Sequence, residues 1–214
     1  MTQRPVNPAP PDWMTSDFVQ KALAFASAAH AKQVRKYSGE PYIYHPIEVA
    51  TILVEAFPDF PPPDYVLAAA LLHDTVEDCE VSFTELRREF GDETACTVLH
   101  LTDLITKEQG NRETRKFLEV ERLRNAPREA QCVKLADMIS NTTSICAHDP
   151  DFAVVYLREK ERALDAIGQN WADFEADSVH GKITQEAWDL YNRAVTLCRT
   201  HRRALHEARK ETEE

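Results

Sequence analysis

The sequence predicts an all-α fold, a helical bundle, on three observations. Apolar residues recur at helical spacing through long segments poor in Pro. No alternating strand pattern longer than four residues competes with them. The chain has only five Gly in 214 residues, well below the average of roughly 7%, so folds built on Gly-rich loops are disfavoured. A chain of this length can bury a substantial core within one domain.

The elements follow in order. Four of the twelve Pro fall within the first eleven residues, so residues 1–15 read as a flexible arm. Ser16 and Asp17 precede Phe18, Ala22, Phe25, Ala26 and Ala29 at helical spacing, which predicts a helix over 17–33. Gly39 and Pro41 make 33–44 a loop. Pro46 suits the first position of a helix over 46–56, with His45 as its N-cap. After the rigid stretch PDFPPPD, Asp64 caps a continuous helix over 64–78. Ser82 and Glu85 form a capping box for 82–90, and Gly91 ends that helix. Further helices are expected over 92–105, 111–125, 128–147 and from Asp149-Pro150 to about 167. A last helix, over 184–208, runs into a charged tail that should fray. The domain thus spans 16–198, with 199–214 as the tail.

Composition excludes several function classes. The formal net charge of −11 disfavours DNA and RNA, whose binding depends on neutralising many phosphates at once. No G-x-G-x-x-G or G-x-x-x-x-G-K-[ST] is present, so phosphate must be held by side chains or a metal. Five scattered Cys without a C-x-x-C indicate neither a disulfide framework nor a Cys zinc site. They read as reduced thiols filling the core. No apolar run approaches a membrane span and the N-terminus is not a signal peptide. A cytoplasmic protein with no membrane partner is expected.

The predicted helix 64–78 carries the chemistry. Val66 to Leu72 are apolar on every side, and His73, Asp74, Glu77 and Asp78 then follow without a basic residue. In a continuous helix Glu77 lies i+4 from His73 and i+3 from Asp74, and Asp78 lies i+4 from Asp74. Three carboxylates therefore converge at a helix C-terminus, where the macrodipole already disfavours them. An exposed polar helix end is the plain alternative; a bound cation would remove the conflict. Lys134, Asp137, Asn141 and Ser144 form a polar stripe on helix 128–147, which could equally be its solvent face. His45, in YIYHP, is a third candidate. Two His and two Asp offer the mixed N and O donors that suit Mn²⁺, Fe²⁺ or Zn²⁺. His30 and His100 read as packed or partly exposed imidazoles, and the charges over 111–125 as a solvated face.

These motifs, in this order, resemble a known family. Arg35-Lys36, Gly39-Glu40-Pro41-Tyr42-Ile43 and His45-Pro46 are similar to the opening motif of the HD-type hydrolase domain of RelA/SpoT alarmone hydrolases. Ala69 to Asp78 (AALLHDTVED) resembles its signature, and Phe90-Gly91, Leu101-Thr102 and the KLADxxxN segment at Lys134 follow. The resemblance covers about residues 17–168. The chain is too short for the family's synthetase and regulatory domains and is similar to its small stand-alone hydrolases, including the metazoan SpoT homologue.

The resemblance implies an HD-domain helical bundle with one Mn²⁺ held by His45, His73, Asp74 and Asp137. It implies that Glu77 and Asp78 orient and deprotonate the attacking water. Arg35 and Lys36 match a basic pair that meets the nucleotide, Asn141 a ribose contact, Ser144 a position often held by Thr, and Tyr156 an aromatic near the nucleotide. The implied activity is hydrolysis of the 3′-pyrophosphate of guanosine tetra- or pentaphosphate (ppGpp or pppGpp) to GDP or GTP and pyrophosphate. Tyr37 lengthens the loop that touches the base, and segment 103–113 departs from the family pattern. Adenosine alarmones (ppApp, pppApp) or NADPH are therefore alternative small-nucleotide substrates, and a non-catalytic helical binding module is the alternative from another class. Oligomeric state is not readable.

Overall fold

The computed structural model describes residues 11–176 and 183–213. Among these residues it contains α-helices and one 3-10 turn, and its only extended pairing is an isolated bridge between Val34 and Pro41. The all-α expectation therefore holds. The chain divides into two compact units, one ending at Asp103 and one beginning at Leu104.

The first unit is built around α3 (Asp64–Leu72). Val66 through Leu72 are all buried, because α1 (Asp17–Ala29), α2 (Tyr44–Ala56) and α5 (Phe83–Leu101) pack around it. Burying a large aliphatic side chain stabilises by about 1.5–3 kcal/mol, so a helix apolar on all faces belongs at the centre of the unit. Ser16 ties two helix starts together: its hydroxyl accepts from Phe18 N–H at the head of α1 and donates to Asp64 at 2.5 Å. Of the arm expected over 1–15, residues 1–10 lie outside the described residues. Farther along it, Met14 is buried, and the Trp13 indole donates to Thr51 Oγ1 at 3.3 Å.

Several boundaries differ from expectation, each for a local reason. Helix α1 stops at Ala29 rather than near Gln33, because the Gln33 carbonyl accepts from Tyr42 N–H at 3.0 Å and draws residues 30–33 into the loop. Helix α2 begins at Tyr44, with Ile43 as N-cap, so His45 lies inside its first turn instead of capping it. Pro63, not Asp64, is the N-cap of α3. The continuous helix expected over 64–78 is interrupted after Leu72: His73 Nδ1 donates to the Ala70 carbonyl and Thr75 Oγ1 to the Leu72 carbonyl, both at 2.7 Å. These bonds occupy the carbonyls of the last turn, and the chain resumes as α4 (Thr75–Asp78). Ser82 caps α5 by accepting from Glu85 N–H. Gly91, at φ 80°, breaks the helical path within α5, at the point where its Gly was expected to end a helix.

In the second unit, Thr106 and Gln109 form a reciprocal capping box on the 3-10 turn Lys107–Gln109. Asn111 caps α6 (Arg112–Arg124) through Thr114 N–H. Helices α7 (Arg128–His148), α8 (Pro150–Ala176) and α9 (Gln185–Glu213) follow. Trp171, Leu157, Leu164, Ile167 and Leu190 are fully buried among them. Buried Gln131 joins three helices, donating to the Leu123 and Arg124 carbonyls at 3.0 Å and accepting from the Trp171 indole. Helix α8 passes the end expected near 167. Gly168 lies against Tyr191, whose hydroxyl would stand 2.4 Å from an added Cβ, so this Gly serves close packing rather than termination. Nor does the last helix end near 208: α9 continues to Glu213, with pairs of Arg202 with Glu161, Arg203 with Glu207 and Arg209 with Asp151 along it.

The cysteines depart from expectation in part. All five are free; Cys132 and Cys198 are core residues, whereas Cys96 is exposed and Cys79 and Cys146 are half-buried.

Candidate metal centre

Two stretches of the first unit deliver three of the candidate ligands. The first turn of α2 supplies His45, and the break between α3 and α4 supplies His73 and Asp74. Both imidazoles are buried, at 1% and 3% exposure. Their rings meet edge to face at 5.3 Å. His73 Nε2 lies 3.0 Å and His45 Nε2 3.7 Å from Asp74 Oδ2. Among the described residues, donor atoms of His45, His73 and Asp74 all fall within 4.8 Å of one another, a group able to hold a metal ion.

The surroundings fit a divalent cation. Because His73 Nδ1 donates to the Ala70 carbonyl, the neutral ring would carry its lone pair on Nε2, which turns toward the cluster, the arrangement typical of a metal-ligating imidazole. Asp74 has φ −95° and ψ −5°, in the bridge region where active-site residues are common. Its Oδ2 also accepts from the Tyr42 hydroxyl at 2.6 Å. Tyr42 stacks against His30 at 4.8 Å and meets the His45 ring at 5.7 Å.

The acids beyond the break are each fixed by a distant partner. Glu77 Oε2 accepts from Asp103 N–H at 3.2 Å. Asp78 Oδ2 accepts from Gln33 Nε2 at 2.9 Å, and Gln33 Oε1 lies 2.7 Å from Nδ1 of buried His30. Cys79 Sγ stands 3.0 Å from the same His30 nitrogen. Burial first, then the charges of Asp78 and Asp74, push the Cys79 thiol up to about 11. His30 is therefore packed, as expected, but it is also one end of a chain of hydrogen bonds reaching Asp78.

The basic pair lies on the loop between α1 and α2. Arg35 N–H donates to the Glu40 carbonyl and Gly39 N–H to the Arg35 carbonyl, closing a tight loop with Gly39 at φ 72°. The Arg35 guanidinium is largely covered, 3.8 Å from Glu48. Lys36 stands over the Tyr37 ring at 4.7 Å and donates to its hydroxyl at 3.2 Å. The extra loop residue thus engages one member of the pair.

The remaining candidates belong to the second unit. Asp137, 5% exposed, accepts from Lys134 on Oδ2 at 2.8 Å and from Asn141 on Oδ1 at 2.6 Å. The polar stripe of α7 is thus a bonded group rather than a bare solvent face. Ser144 lies one turn beyond Asn141. Tyr156, on α8, is buried, and its hydroxyl is held well above the usual phenol range by burial and the Asp137 charge.

Sequence reading missed Gln33, Tyr42 and Lys160. Tyr42 lay within a quoted motif and could have been found there. Gln33 had no local signal. Lys160, four residues after Tyr156, places its ammonium 5.2 Å from that ring.

Known proteins resemble this chain in sequence and in fold. The guanosine-3′,5′-bis(diphosphate) 3′-pyrophosphohydrolase MESH1 of Drosophila melanogaster is 37% identical over 61% of this chain and 70% of its own length. The human protein of the same name is 38% identical over 61% of this chain and 71% of its own. The chain also matches much longer proteins: it spans only 10% of a probable GTP pyrophosphokinase of Mycobacterium leprae, at 49% identity over 42% of this chain. Among solved structures, a metazoan ortholog of SpoT described as hydrolysing ppGpp and acting in starvation responses superposes with TM-score 0.68 at 26% identity. That match covers 90% of this chain and 98% of the other. The HD domain family implies a divalent metal, and the His and Asp cluster could bind one. The family match runs over residues 22–162, from α1 into α8. It takes in more than half of the sequence, with the His73-Asp74 pair inside it, and the chain belongs to the HD domain family.

Proposed function

We propose that this protein is a metal-dependent phosphohydrolase that removes the 3′-pyrophosphate from guanosine tetra- or pentaphosphate, giving GDP or GTP and pyrophosphate. The observation that carries the reading is the convergence of His45, His73 and Asp74 beside two anchored acids, Glu77 and Asp78. The names of the MESH1 relatives support the substrate.

His45, His73 and Asp74 hold the ion, and the motif resemblance adds Asp137 as fourth ligand. Two imidazole nitrogens with carboxylate oxygens are compatible with Mn²⁺, the ion the resemblance implies. A divalent cation held there would offset negative charge on a bound phosphate and would make a water more acidic. Glu77 and Asp78 orient that water and take its proton as general bases. The water oxygen bonds to the phosphorus nearer the ribose, the bond from that phosphorus to the 3′ oxygen breaks, and the ribose oxygen receives the proton that the carboxylate took from the water. Gln33 keeps one Asp78 oxygen fixed during this transfer, and Asp103 N–H does the same for Glu77. Arg35 and Lys36 meet the nucleotide, Arg35 by stacking on a base and Lys36 by pairing with phosphate. Asn141 contacts the ribose, Ser144 lines the substrate site one turn farther along α7, and Tyr156 borders the nucleotide. Residues 16–198 form the working domain.

No helix among the described residues is long and apolar enough to cross a membrane. We place the protein in the cytoplasm, a reading consistent with its five free thiols, acting on a small purine nucleotide rather than a nucleic acid. A second reading, in which adenosine alarmones or NADPH are the substrate, is favoured by one observation: Tyr37 occupies Lys36 in the loop that meets the base. A panel of guanosine and adenosine 3′-pyrophosphates and NADPH, assayed with Mn²⁺, tests both. Turnover confined to the guanosine compounds is expected, and turnover of none would refute the activity. Stoichiometric metal and turnover, both abolished by His73→Ala, would exclude a non-catalytic module.

A further inference from the structure

The second unit contains an ammonium that its own neighbours do not neutralise. Lys160, half-buried on α8, makes no hydrogen bond and no ion pair among the described residues; its near partner is the face of the Tyr156 ring. Four charged groups bear on it: Lys134 and Asp137 from α7, and Lys116 and Glu119 from α6. Both carboxylates are already engaged. Asp137 holds Lys134 at 2.8 Å, and Glu119 holds Lys116 at 2.5 Å. Of the charged groups that bear on Lys160, the two carboxylates are each already ion-paired with another lysine. Burial, with the like charges of Lys134 and Lys116, brings this ammonium down to about 8. A desolvated cation is costly unless an anion meets it. A cation–π contact offsets only part of that cost, about 0.5–2 kcal/mol.

We infer that Lys160 is a substrate-binding residue that receives a pyrophosphate group, with the Tyr156 ring holding its side chain in position. This rests on the reading above, in which the substrate carries such a group and Tyr156 borders the nucleotide. A phosphoryl oxygen accepting from the ammonium forms a charge-assisted hydrogen bond, and it supplies the negative charge that Asp137 and Glu119 have given to other lysines.

The test uses inorganic pyrophosphate as probe, titrated by calorimetry into the full chain with chelator present, so that no metal takes part. Saturable binding to the unsubstituted protein is expected. Lys160→Met should weaken it by about tenfold or more, the loss of one charge-assisted hydrogen bond, whereas Lys160→Arg should hold it within about threefold of the original. Lys160→Gln provides the same comparison if the Met variant does not fold. Equal affinity in the unsubstituted and neutral variants, or no binding to the unsubstituted chain, overturns the inference. Hydrolysis separates the two readings. If guanosine 3′-pyrophosphates are not cleaved yet pyrophosphate binds through Lys160, only the activity falls. If they are cleaved and Lys160→Met leaves KM and pyrophosphate affinity unchanged, only the role of Lys160 falls.

Discussion

Tyr42→Phe isolates the support of the metal cluster from the cluster itself. The Tyr42 hydroxyl donates to Asp74 Oδ2 at 2.6 Å, the oxygen toward which both imidazoles turn. A hydrogen bond to a charged group contributes about 1.5–3 kcal/mol. Since 1.4 kcal/mol is about tenfold in affinity, its loss should weaken divalent metal binding about 10- to 100-fold, as substitutions of residues that orient metal ligands commonly do. The ring contacts with His30 and His45 survive the change, because Phe keeps the aromatic face. Calorimetric titration of Mn²⁺ into the metal-free protein measures the effect. If Asp74 transmits it, Tyr42→Phe should add nothing in an Asp74→Asn background. Unchanged Mn²⁺ affinity in Tyr42→Phe would show that the hydroxyl does not orient Asp74 for a metal, and the reasoning would fail.

Other consequences can be checked separately. Glu77→Gln should keep the metal and lose about 10²- to 10⁴-fold in turnover, the range for a general base; near-normal turnover would remove Glu77 from the proton transfer. Gln131→Leu removes the side-chain donor that the Leu123 and Arg124 carbonyls share and leaves the buried Trp171 indole without its acceptor. The cost should be about 2–4 kcal/mol in urea unfolding, and a loss below about 0.5 kcal/mol, the scale of an unremarkable surface substitution, would contradict the linking role. Lys160 gives a pH signature. Its ammonium titrates near 8 in the folded protein against 10.5 when unperturbed, so between these values the unfolded chain binds more protons and stability should rise with pH. Lys160→Met should flatten that rise relative to the original protein, and identical pH profiles of the two would refute the shift.

Much of the site was legible because its chemistry is written in consecutive residues. His73, Asp74, Glu77 and Asp78 are close in sequence, and uncompensated acids after a buried helix signal a cation whatever the backbone does between them. Helix spacing nevertheless gave the wrong local geometry, since side chains of His73 and Thr75 take the carbonyls that a continuous helix would have used. His45 was found through its motif but was assigned to a cap. Pro46 marks a first turn without fixing which preceding residue enters it. Gln33 was illegible in its role because its partner lies 45 residues away, whereas Tyr42 stood within a quoted motif although its partner lies 32 residues away. The end of α8 was also placed too early, near 167, although the helix runs on to Ala176.

The most direct test of the proposed activity is pyrophosphate release from guanosine tetraphosphate by the purified protein, with Mn²⁺ and with chelator, beside the His73→Ala variant. The account predicts stoichiometric formation of GDP and pyrophosphate that requires the metal and disappears in the variant. No release with Mn²⁺, or equal release from His73→Ala, would contradict it.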